Sequence, residues 1–153
     1  MEPLNKNKLS TAKLFILAGL LLLAIGMLFG LTGALQYLIT DFIKQYLSFE
    51  KVRPLHVSSV VFWIIFAAIG SVLIYLQQYN GKVIFSPLLL KIQFAIFSIS
   101  VFAILVSYCF GVFGGREYWE FHPVFALPIA AGWILFIINF IKSLSSFKNL
   151  PVY

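Results

Sequence analysis

"LFILAGLLLLAIGMLFGLTGALQYLIT", residues 14–40, runs without a single charged residue. About 20 apolar residues suffice to carry a helix across the hydrocarbon core of a bilayer. In lipid a backbone must satisfy its own hydrogen bonds, and a helix does so within one segment. The remaining charges leave three further runs of this kind, at 54–81, 92–115 and 121–141. The chain therefore reads as all-α, a polytopic transmembrane bundle of four helices near 13–39, 54–78, 87–111 and 123–143. They form one membrane domain over 1–153, with no soluble domain.

Composition agrees with that class. Hydrophobic residues make up 61% of the chain and charged residues 10%, far from the balance of a water-soluble domain. The first run is too long for the apolar region of a signal peptide, and no small-residue cleavage site follows it. A lone cysteine, Cys109, rules out a disulfide framework. The net charge of +6 does not point to nucleic acid, because the basic residues sit at helix ends and form no stripe. They serve better as orientation signals. Lys6, Lys8, Lys13, Lys82, Lys91, Lys142 and Lys148 flank one side, against Lys44, Lys51, Arg53 and Arg116 on the other. This bias favours both termini in the cytoplasm.

The same topology brings "RPLH" (53–56) and "GREYWEF" (115–121) to one membrane face. Ionisable groups near lipid are costly unless they have partners, so both clusters are candidate sites. Arg53 and His56 are three apart and should share one side of the second helix. His56 is either an axial ligand to haem iron or an interfacial histidine bonded to a carbonyl or headgroup. A helical turn over 116–120 would cluster Arg116, Glu117 and Glu120. Arg53 and Arg116 have the fork geometry to grip haem propionates, while Glu117 and Glu120 offer hard oxygens suited to calcium. The plainer alternative is that Arg116 pairs with its own glutamates. Gly26, Gly30, Gly33 and Ala34 allow close helix packing in lipid. Tyrosines 37, 46, 75, 79 and 118 and Trp119 suit interfacial belts, with Trp133 the exception, about midway along the fourth helix.

Four stretches carry a family resemblance: "FGLTGALQYLITDF" (29–42), "LSFEKVRPLHVSSVVF" (47–62), "SP" (86–87) and "GREYWEFHP" (115–123). In that order and at those intervals they resemble the N-terminal four helices of the catalytic subunit of nitric oxide reductases and C-type haem–copper oxidases. The resemblance implies His56 as one axial ligand of a low-spin haem b, with Arg53 and Arg116 beside its propionates. It further implies Glu117 as a calcium-linked residue, with Glu120 as the second acidic position. Val57 departs from the threonine common there, and His122 takes no assigned role beyond starting a helix. A haem held by His56 and His122 together is a lesser alternative.

Catalysis in that family needs about six histidines for its haems and its non-haem iron or copper, and this chain has two. The resemblance therefore implies the electron-transfer portion of a membrane oxidoreductase. The high-spin haem and the iron or copper would lie in remaining helices, on the same or a separate chain. A cytochrome c-type or quinol donor would serve it in a bacterial inner membrane. Oxygen as substrate and a cofactor-free membrane scaffold stand as alternatives. A transporter ranks last, because transporters bind substrate near the midplane and every charge here lies at a helix end.

Overall fold

The serine hydroxyls at two apolar boundaries set where helices begin. Ser10 accepts the Lys13 N–H at 3.4 Å, and Ser86 accepts the Leu89 N–H at 3.3 Å, each replacing a bond that the first turn cannot make internally. The computed structural model describes residues 10–80 and 84–145. It contains α1 (Thr11–Leu38), α2 (Phe49–Asn80), α3 (Pro87–Cys109) and α4 (Ala126–Leu144), the last entered through a 3-10 turn at Pro123–Phe125. Among the described residues, four spans are long and apolar enough to cross a membrane. The four-helix, all-α reading holds.

Several boundaries shift by one to five residues from expectation, and two of the shifts have a clear local cause. α2 starts at Phe49 rather than 54, because Glu50, Lys51 and Arg53 ride on its first turns instead of preceding it. Pro54 is tolerated there, since the carbonyl it leaves without a partner belongs to the polar helix start. α3 stops at Cys109 rather than 111. Gly111 has φ of 77°, and the N–H groups of Gly111 and Val112 turn back onto the Tyr108 and Ser107 carbonyls at 3.0 Å. That closure is the one a left-handed glycine provides. Lys6, Lys8, Lys82 and Lys148, on which the orientation count leans, lie outside the described residues.

α1 and α2 pack antiparallel along a glycine seam. Moving up α1, Gly19 lies against Trp63 and Ala67, Gly26 against Ser59 and Val60, and Gly30 against His56. The partners run backwards along α2 as the glycines advance. Each missing side chain lets one backbone approach the other, the route by which helices associate in lipid. α3 and α4 form the second pair, with Phe97 filling the space left by Gly132. Phe15, Phe66, Phe94 and Phe97 join the pairs through edge and tilted ring contacts. Polarity is reversed from a soluble protein: Leu20, Leu28, Ile99, Phe102 and Leu127 face outward, while Gln36, Ser59, Gln93 and Asn139 are buried. That pattern suits hydrocarbon surroundings.

Asn139 locks one end of the second pair. Its Oδ1 accepts the Ser86 N–H at 3.0 Å, and its Nδ2 donates to the Ser86 carbonyl at 3.1 Å. Ser143 extends the lock, accepting the Phe85 N–H at 3.0 Å and donating to the Asn139 carbonyl at 2.6 Å. Replacing Asn139 by leucine should cost about 1–2 kcal/mol, because both Ser86 backbone groups lose their partners. Thermal unfolding in detergent checks this, with the exposed Ser145→Ala changing stability by less than about 0.5 kcal/mol.

Candidate functional site

His56 enters the seam from α2 at the point where α1 offers two glycines. Its Nδ1 lies 2.7 Å from the Gly26 carbonyl oxygen. A carbonyl can only accept, so the ring nitrogen facing it carries the proton and donates. In the neutral ring this places the proton on Nδ1 and leaves Nε2 its lone pair. A histidine whose N–H is held by a backbone carbonyl is arranged as metal ligands usually are. The carbonyl bond and ligation to a metal use different nitrogens, so the two are compatible rather than exclusive.

Arg53 goes elsewhere. Expected on the same side as His56, it reaches instead to the connection between α3 and α4, where its Nη2 lies 3.2 Å from Glu120 and 3.4 Å from Glu117. Residues three apart on a helix differ by about 60° in direction, enough for a long side chain to find another neighbour. The two polar clusters therefore meet across the sequence, as their shared membrane face requires. Lys51 joins them, donating to the Cys109 carbonyl at 2.9 Å.

The expected helical turn over 116–120 is instead a tight reversal. Gly114 N–H donates to the Glu120 carbonyl, Gly115 has φ of 76° and Tyr118 of 61°, and Arg116 bridges Trp119. A Cβ at Gly114 would collide with the Phe121 carbonyl. This geometry points Glu120 inward, with a side chain 12% exposed, and leaves Glu117 69% exposed. Arg116 is exposed and makes no ion pair among the described residues; the carboxylates nearest to it along the chain belong to Arg53. His122 accepts the Val124 N–H through Nδ1 at 3.3 Å and starts the turn into α4, as its position suggested.

Two carboxylates do not make a calcium cage, which takes about 6–8 oxygens. Among the described residues, no group of three His, Cys, Asp or Glu side chains comes together for a metal. Glu117 and Glu120 face the Arg53 guanidinium, so a calcium ion here would need further oxygens, such as the propionates of a bound haem.

One contact was not legible from the sequence. Ser58 and Tyr108 share a buried hydrogen bond of 2.9 Å between α2 and α3, and two hydroxyls in apolar runs give no sign that they face each other. Ser58 also borders a cavity of about 310 Å³, lined by Phe62, Ile65, Trp119, Ile129 and Trp133. His56 is absent from its lining.

The sequence matches, across residues 10–152, the family described as Cytochrome C and Quinol oxidase polypeptide I. The chain belongs to that family. This is the haem–copper oxidase family anticipated from "RPLH" and "GREYWEF". The chain is also similar to a nitric oxide reductase subunit of Stutzerimonas stutzeri, at 28% identity over 101 residues. That match covers 66% of this chain and 21% of the relative, so the chain spans about a fifth of its length. The haem–copper oxidase fold thus enters here as four membrane helices, with lipid as their surroundings.

Glu120 should matter more than Glu117 to this end of the bundle. Glu120→Ala removes the enclosed partner of Arg53 and should speed trypsin cleavage after Arg116 several-fold. Glu117→Ala, losing an exposed ion pair of about 0–1 kcal/mol, should leave the cleavage rate close to wild type.

Proposed function

We propose that this chain is the haem-holding front portion of a nitric oxide reductase-like membrane oxidoreductase, with His56 as one axial ligand of a low-spin haem b. The observation carrying this reading is the 2.7 Å contact between His56 Nδ1 and the Gly26 carbonyl. It presets the tautomer whose free Nε2 is the one an iron would need. The similarity to a nitric oxide reductase subunit supports reading the chain as part of a protein of that kind.

A haem bound at this position would supply one-electron chemistry. The chain's own contribution is to hold and orient. Gly26 fixes the proton on Nδ1, and the packed seam keeps the ring from turning. Arg53 and Arg116 are the guanidinium groups available to propionates at the outer end. Arg116 is the freer of the two, since Arg53 already holds Glu117 and Glu120. With His122 engaged as a helix start, the second axial ligand would come from helices beyond these four.

The reduction site would lie in that remaining portion, which would carry the further histidines that a high-spin haem and a non-haem metal require. Electrons would arrive from a cytochrome c-type or quinol donor in a bacterial inner membrane, with both termini of this chain cytoplasmic. Oxygen as substrate is the second reading, favoured by the family's own description as an oxidase polypeptide. The work assigned to His56 is the same in either case.

The test is the reduced-minus-oxidised spectrum of the assembled complex. Wild type should show a low-spin b-type band, and His56→Ala should lose it while His122→Ala keeps it. Persistence of the band in His56→Ala would remove His56 from the ligand set.

A further inference from the structure

We infer that Gly30 is a positioning residue for the His56 imidazole, so that the absence of a single methyl group sets the ring's orientation. This rests on the reading of His56 as a ligand, but its steric core can be tested without haem. A Cβ built at Gly30 would meet His56 Nδ1 at 2.8 Å and Cε1 at 2.9 Å. Both are closer than real Cβ atoms come, so something must move. The ring is the atom group in the way, and the bond to the Gly26 carbonyl at 2.7 Å already holds it. It can yield only by leaving that carbonyl.

The other seam glycines differ in kind. A Cβ at Gly26 would press on Val60 Cγ2 at 2.9 Å, and one at Gly19 on the Ala67 nitrogen at 3.2 Å. At Gly33 the nearest atom is Val52 Cγ1 at 3.4 Å, an ordinary contact. Gly26 and Gly30 therefore both act on the Nδ1 edge of one ring. The Gly26 carbonyl takes its proton, and the bare Cα of Gly30 leaves room for the ring to lie where that bond forms. A displaced ring would lose its preset tautomer and aim Nε2 along a different line, and the basicity of a histidine ligand follows the partner of its other nitrogen.

The experiment compares Gly30→Ala with Gly33→Ala in the assembled complex, reading the electron paramagnetic resonance signal and midpoint potential of the low-spin haem together with haem per protein. Gly30→Ala should shift or abolish the low-spin signal and move the potential, while Gly33→Ala should match wild type. Identical behaviour of the two variants would overturn the inference. Because Gly30→Ala could assemble poorly, a double-mutant cycle gives a second reading. Its loss of unfolding temperature or yield should largely vanish on a His56→Ala background, where no ring remains to be displaced. An equal loss on both backgrounds would also overturn it. If His56→Ala alone retains the low-spin haem, the ligand reading fails, and the cycle still decides the steric claim.

Discussion

The contact between an imidazole N–H on α2 and a carbonyl oxygen on α1 depends on how closely two helix backbones can approach in lipid. Backbone carbonyls inside a helix already accept one hydrogen bond and are normally screened by side chains. Here the Gly26 carbonyl is reached at 2.7 Å because α1 has no side chain at 26 or 30 to stand between the helices. The glycine seam is thus more than a packing device. It exposes one acceptor on an otherwise apolar surface and gives the histidine opposite a reason to keep a fixed tautomer.

The helices were legible because charge and apolarity alone decide what can cross a bilayer, and four uncharged runs leave few other solutions. Their ends were less so. Reading charge as a boundary places the start of α2 at 54, yet Glu50, Lys51 and Arg53 are compatible with helix outside the hydrocarbon. The glycine at 111, which ends α3, is a local signal that the apolar pattern overrides when read alone. The segment 114–120 misleads for a different reason. Its charges sit at helical spacing, but Gly114, Gly115 and the positive φ of Tyr118 impose a reversal. The reversal, in turn, decides that Glu120 is enclosed and Glu117 is not. Asn139 left no trace in the sequence: a single amide in an apolar run says nothing of which backbone it will hold.

Arg53 shows how topology redistributes charge that sequence proximity would assign otherwise. Arg116 is the neighbour of both glutamates along the chain, yet the reversal turns them toward α2, where Arg53 meets them both. One guanidinium with two carboxylates carries a net negative charge, and the exposed Arg116 on the same turn restores balance. These four side chains are therefore neutral as a unit but not uniform, with an enclosed ion pair inward and a cation outward.

α2 consequently serves different neighbours on different faces. His56 lies in the α1 seam, and Arg53, one turn earlier, joins the 114–120 reversal. Ser58, two residues on and about 200° around the helix, bonds Tyr108 and borders the apolar cavity toward α4. A residue step of this size on a helix reverses the direction of the side chain, so the cavity and the imidazole cannot share one occupant through α2 alone. Whatever fills the cavity meets Trp119, Trp133 and Phe62, surfaces that reward apolar area and supply no charge. The charged side chains of this end, Arg53 with Glu117 and Glu120, lie instead at the 114–120 reversal.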